Sequence, residues 1–185
     1  MELAMLLLIQ NSRIFLGSRL DSFGGTFREP KTGHTMSNKP CLLVADDDPG
    51  DIFLLRRAFR RAALNCEIIE VHDGEQAIEY LSGAPPYDDR LRHPVPSLVL
   101  LDVKMPKMNG FDVLAWLGGR PYLDHLPAVM LSGSCLESDA AAARQLGARD
   151  YLVKPADMNQ MAELARELYQ RWLAPAMRSP DLVGK

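Results

Sequence analysis

The stretch Leu98-Val-Leu-Leu-Asp102-Val-Lys-Met-Pro-Lys-Met-Asn-Gly110 decides the fold: an apolar run stops at a carboxylate, and a Pro- and Gly-containing turn follows. Four consecutive apolar residues read as a strand buried on both faces, which is the environment of a parallel sheet flanked by helices. Pro106 and Gly110 then shape a loop at the carboxyl end of that strand. Ligands collect at such ends in open α/β sheets. Asp102 therefore stands where chemistry is expected, although Asp before a helix also serves as a cap.

The pattern repeats on both sides. Cys41-Leu-Leu-Val-Ala45 predicts a strand that ends in Asp46-Asp-Asp48. Asp48 suits the N-cap of the next helix, Pro49 its first position, and Asp51 its positively polarised first turn. Ile52, Leu55, Ala58, Phe59 and Ala62 form that helix's apolar stripe. Cys66–Val71 predicts a second strand, and Asp73 with Gln76 a capping box for a helix through Leu81. Residues 83–96 carry four prolines and read as a long loop, a lid, partner contact or tolerated insertion.

Beyond Asp102, a helix is expected from about Phe111 to Leu117 and a strand at Ala128–Leu131 ending at Ser132-Gly133. A fourth helix follows over roughly Glu137–Leu146, then the strand Tyr151–Val153 ending at Lys154-Pro155. Asp157 opens a last helix with Met158, Met161, Leu164, Leu168 and Trp172 at helical spacing. Five strands alternating with five helices predict an α/β doubly wound parallel sheet with right-handed crossovers.

Composition bounds the rest. A chain of 185 residues, 47% hydrophobic, can bury one good core. The net charge of −3 and an expected lack of any Lys/Arg cluster along one helix argue against nucleic acid. Cys41, Cys66 and Cys135 lack metal-ligand spacing, so a reducing, cytoplasmic setting is expected. The apolar run Leu3–Ile9 is too short to cross a bilayer and follows Glu2 rather than a basic region, so no membrane role is expected. Residues 1–38 read as a disordered extension, with translation from Met36 as one explanation, and 174–185 as a tail around a unit of residues 39–173.

In a parallel sheet the strand ends converge on one edge. Asp46, Asp47, Asp102, Ser132 and Lys154 are thus predicted to share one pocket. Clustered carboxylates raise one another's pKa unless cations neutralise them; Lys154 supplies one charge and Mg²⁺, held by carboxylate oxygens, would supply two. A carboxylate so placed can attack phosphorus to give an aspartyl-phosphate. Asp48 and Asp73, taken singly, read as caps.

From Lys39 to Trp172 the chain resembles the receiver domain of two-component response regulators. Val-Ala-Asp-Asp-Asp-Pro49 is similar to the family's acidic pair and Leu-Leu-Asp-Val-Lys-Met-Pro-Lys-Met-Asn-Gly110 to its phospho-acceptor segment. Leu-Ser-Gly133 matches its switch hydroxyl and Asp-Tyr-Leu-Val-Lys-Pro155 its aromatic switch and lysine. The resemblance implies a flavodoxin-like sheet of order 2-1-3-4-5 in which Asp102 is phosphorylated. Mg²⁺ would be bound by Asp47, Asp102 and the Lys104 backbone carbonyl, with Asp46 acting through water. It also implies that Ser132 and Lys154 hold the phosphoryl group, that Tyr151 swings inward, and that the Lys154-Pro155 bond is cis.

The implied function is that of a single-domain regulator. A sensor histidine kinase, of phytochrome or related type, or a phosphotransfer protein would phosphorylate it, and a surface change would signal to a protein target, with a homodimer as a further expectation. Self-dephosphorylation would be its sole catalysis. Two other readings are an Asp-nucleophile phosphatase and a phosphorylation-independent interaction module. The first wants an acid two residues after the nucleophile, where Lys104 stands; the second is opposed by the presence of all five polar positions.

Overall fold

The computed structural model describes residues 39–177; the predicted extension and the end of the predicted tail lie outside them. Within this range β1 (Cys41–Ala45), α1 (Pro49–Arg61), β2 (Glu67–Val71), α2 (Gly74–Ser82) and β3 (Leu98–Leu101) come first. They are followed by α3 (Gly110–Gly118), β4 (Ala128–Ser132), α4 (Glu137–Gln145), β5 (Asp150–Val153) and α5 (Met158–Leu168). The strands form one parallel sheet in the order β2-β1-β3-β4-β5, as expected.

Burial follows position in the sheet. Every residue of β1, β3 and β4 is buried, whereas β2 and β5, each paired on one side, are partly exposed. Alternation along the central strands divides the core in two. Leu43, Val99, Leu101 and Met130 pack with α2 and α3, while Leu42, Val44, Leu100 and Leu131 pack with α1 and α5. Truncating a fully buried leucine such as Leu100 to Ala would cost about 2–5 kcal/mol.

Caps place the helices. Asp48 Oδ1 accepts from Gly50 N–H at 2.7 Å, and Pro49 takes the first turn, where its missing donor costs nothing. Asp73 caps α2 by accepting from Gln76 N–H at 2.8 Å; the Gln76 amide donates back to the Asp73 carboxylate and accepts from His72 N–H rather than from the cap's own N–H. Asn109 and Asp112 make a reciprocal capping box at α3. Asp157 accepts from Asn159 and Gln160 N–H at α5.

Three sequence expectations are corrected. Lys154–Pro155 is not cis; the one cis peptide bond among the described residues is Pro85–Pro86. The helix α1 carries Arg56, Arg57, Arg60 and Arg61, so a basic cluster does lie along one helix; its arginines occupy the positions between those of the buried stripe. The last helix runs on through a π-helical turn, Tyr169–Leu173, into Ala174–Ala176, past the point where the apolar period weakens. A widened turn shifts the register of the stripe, which is why the pattern fades there.

The proline-rich loop is built rather than slack. Arg90 donates to the carbonyls of Tyr80 and Leu81 at 2.9 Å each, closing the carboxyl end of α2. Tyr87 and His93 pack on Tyr80 with centroids 5.1 and 6.0 Å from its ring.

Candidate functional site

The carboxyl ends of four strands carry the polar side chains that the sequence singles out. Asp46 follows β1, Asp102 follows β3, Ser132 ends β4, and all three are buried. Lys154 follows β5, and its backbone N–H donates to the Ser132 carbonyl at 2.8 Å, which fixes the end of β5 against β4. Asp102 is fixed likewise by its N–H donating to the Ala45 carbonyl at 2.8 Å.

The Lys154 ammonium is the centre of the arrangement. Nζ lies 2.8 Å from Asp46 Oδ2, 2.9 Å from Asp102 Oδ1 and 2.7 Å from Asp51 Oδ2. An ammonium has three N–H donors, so all are engaged. The second oxygen of Asp102 accepts from Lys104 N–H, and Asp46 Oδ1 accepts from Asp48 N–H at 3.0 Å.

These contacts set the protonation states. Burial alone lowers the pKa of Lys154, but hydrogen bonds to Asp46, Asp51 and Asp102 outweigh it and hold the ammonium above its ordinary value. Burial pushes the Asp46 carboxyl up and the negative charge of Asp102 adds to this, against the pull of Lys154 and the Asp48 N–H. Three carboxylates share one ammonium, and the surplus negative charge suits a hard cation.

Sequence reasoning and geometry differ in detail. Asp46, Asp102 and Lys154 come together as expected; Ser132 lies on the same edge, its Oγ accepting from Ser134 N–H at 3.1 Å. Asp47 is exposed, lying beyond the end of β1 where the chain bends toward α1. Lys104 meets Asp102 through its N–H. Tyr151 OH donates to the Ser134 carbonyl at 3.0 Å. Asp51 is the residue sequence reasoning missed. Its place in the first turn of α1 predicts only a helix-terminus charge, but three residues beyond the cap Asp48 it reaches Lys154 at the end of β5. An acid at that helical position directly after a strand-end acidic pair is the signal that was available.

No group of three His, Cys, Asp or Glu side chains among the described residues is arranged to enclose a metal ion. The chemistry of the donor set nevertheless fits one: it is all oxygen and carries excess negative charge, and the exposed Asp47 adjoins Asp46 in sequence.

The site is thus built on a parallel sheet of order β2-β1-β3-β4-β5 with carboxylates, a hydroxyl and a lysine at the carboxyl ends of its strands. Residues 42–166 match the family model described as the response regulator receiver domain. Response regulator Rcp1 of Synechocystis sp. is 30% identical over 138 residues, covering 74% of this chain and 92% of Rcp1. The solved Mn(2+)-bound form of Rcp1 superposes with a TM-score of 0.65 at 28% identity, covering 72% of this chain and 94% of that one. Response regulator RPA3017, in red light signaling of R. palustris, gives 0.69 at 35% identity over 72% and 93% of the two chains. The phosphorylated cyanobacterial phytochrome response regulator RcpA gives 0.66 at 29% identity over 72% and 94%. The chain belongs to the response regulator receiver domain family. It is a response regulator of two-component signalling, homologous to phytochrome response regulators.

Proposed function

We propose that Asp102 accepts a phosphoryl group from a phosphohistidine of a sensor histidine kinase or phosphotransfer protein, and that the phosphorylated chain signals to a protein partner. The observation that carries this is the buried Asp102 carboxylate held 2.9 Å from the Lys154 ammonium at a strand end. A carboxylate oxygen of Asp102 attacks phosphorus in line, the P–N bond to the imidazole breaks, and an acyl phosphate forms. Lys154 takes a phosphoryl oxygen in place of the Asp102 oxygen, and the Ser132 hydroxyl, whose Oγ only accepts at present, has its proton free to donate.

Mg²⁺ is the proposed cation, held by Asp47, Asp102, the Lys104 carbonyl and, through water, Asp46. It would screen the phosphoryl oxygens against the carboxylates. Movement of Ser132 toward the phosphoryl group is relayed through Ser134 to Tyr151, because the β4–α4 connection carries both contacts.

The working unit is the receiver domain of residues 39–173, acting in the cytoplasm. No helix among the described residues is long and apolar enough to cross a membrane. Apart from hydrolysis of its own acyl phosphate the domain has no catalytic role, and nucleic acid is not a partner. The kinase is of phytochrome type, as the likeness to the cyanobacterial phytochrome response regulator RcpA supports. A homodimer through α4, β5 and α5 would use the exposed Val153 and the small side chains of α4. Sedimentation with and without beryllofluoride tests it, and a monomer in both states removes it.

The test of the main reading is incubation with acetyl phosphate and Mg²⁺ followed by intact-mass measurement. One phosphoryl adduct is expected for the full chain and none for Asp102→Asn. Absence of an adduct under conditions that preserve acyl phosphates overturns the reading.

A further inference from the structure

Asp51 makes the shortest of the three contacts to Lys154, at 2.7 Å, and bridges 103 residues of sequence from α1 to the end of β5. We infer that Asp51 is a positioning residue for phosphoryl acceptance: it anchors the Lys154 ammonium when the other two carboxylates are drawn into the reaction. This rests on the reading of Asp102 as the acceptor.

The argument is one of competing duties. Lys154 has three donors on three carboxylates, so its direction is over-determined while the site is at rest. In the working site Asp102 becomes an acyl phosphate and surrenders its oxygen. Asp46 would be shared with the proposed cation, which would weaken its hold on the ammonium. Asp51 has no second duty: its hydrogen bond among the described side chains is to Lys154, and its own side chain remains 32% exposed at the mouth of the site.

The lysine itself needs an anchor. It leaves the end of the partly exposed edge strand β5 on a four-carbon stem whose rotamer freedom is large, and an untethered ammonium would spread over many positions. Asp51 sits on a capped helix turn held by Asp48 and Pro49. A rigid helix end thus fixes the tip of a flexible side chain, leaving one N–H directed at Asp102. Holding a group that stabilises the transferring oxygens is worth rate, since catalysis of phosphoryl transfer is largely positioning and charge stabilisation.

Two measurements on the full chain test this. In the metal-free protein, the ¹⁵N-edited ammonium resonance of Lys154, assigned by its loss in Lys154→Met, is expected to be protected from water exchange. It should be lost in Asp51→Ala and partly restored in Asp51→Glu. With acetyl phosphate, the maximal phosphorylation rate of Asp51→Ala is expected to fall about tenfold, while the Mg²⁺ concentration for half-maximal rate stays within about twofold. Asp51→Glu should recover part of the rate.

Unchanged protection and rate in Asp51→Ala overturn the inference. So does a rate loss that excess Mg²⁺ restores, because Asp51 would then act on the cation rather than on the lysine. If Asp51→Ala does not fold, Asp51→Asn, which keeps an acceptor but loses the charge, is measured in its place against Asp51→Glu. If wild type takes no phosphoryl group, the acceptor reading fails, and the ammonium resonance still decides whether Asp51 holds Lys154.

Discussion

The hydroxyl of Tyr151 donates a 3.0 Å hydrogen bond to the backbone carbonyl of Ser134, two residues beyond the Ser132 hydroxyl at the end of β4. Tyr151 also packs against the core on the α2–α3–α4 side of the sheet. Replacing it with Phe keeps the packing and removes the donor. Tyr151→Phe is expected to lower stability by about 0.5–1.5 kcal/mol in urea denaturation. Because the ring stays in place, phosphorylation by acetyl phosphate should proceed at close to the wild-type rate. An unaltered stability would show that the contact holds nothing.

The loop that carries Asp102 and Lys104 is pinned from below. Lys107 Nζ lies 2.8 Å from the buried carboxylate of Asp73, the cap of α2. Burial alone raises the Asp73 pKa, but Lys107 and the Gln76 N–H outweigh it and hold the carboxyl below its ordinary 3.8. A carboxyl depressed by folding contributes stability that is fully present above its unfolded pKa and is lost as pH falls through the folded value. Asp73→Ala should cost about 0.5–2 kcal/mol at neutral pH from the lost cap. Its difference from wild type should shrink once the pH falls below the usual carboxylate range. Urea midpoints measured across pH test this, and a constant difference down into acid contradicts it.

Arg90 tests whether the proline-rich loop is part of the fold. Its two bonds to the last carbonyls of α2 need the fixed fork of a guanidinium, which lysine lacks. Arg90→Lys is expected to destabilise by about 1–3 kcal/mol, because a carbonyl loses its charged donor. Faster amide exchange at Gly83 and Ala84, whose N–H groups close α2, should accompany the loss. Proteolytic resistance of the loop equal to that of wild type would count against this.

Gly110 is required by close approach. A Cβ there would collide with the carbonyl oxygen of Asp102 and stand 2.8 Å from the Met130 methyl. The first of these is backbone and cannot swing away. Gly110→Ala should therefore cost about 1–3 kcal/mol by thermal or urea unfolding and slow phosphorylation by displacing the acceptor. Normal stability with a normal rate would refute the packing argument.

The strand ends were legible because a parallel sheet sends every strand's last residue to one edge, and apolar runs closed by Asp46, Asp102, Ser132 and Lys154 mark those ends. What was not legible depends on angles and side-chain reach. Asp51 meets Lys154 across 103 residues of sequence, so its position in the first turn of α1 could suggest a role in the site but not its partner. Asp47 is adjacent to Asp46 in sequence yet exposed where Asp46 is buried, because the chain turns between them at the end of β1, and the identity of the two residues does not report that turn. Arg90 and Lys107 act from loops onto helix ends, contacts that no local pattern encodes.

The most direct test of Asp102 as the phosphoryl acceptor is to reduce the freshly phosphorylated chain with borohydride, which converts an aspartyl phosphate to homoserine, and to map the modified peptide. Homoserine at position 102, absent when acetyl phosphate is omitted, is the predicted result. Homoserine at position 46, 47 or 51 with Asp102 intact would contradict it.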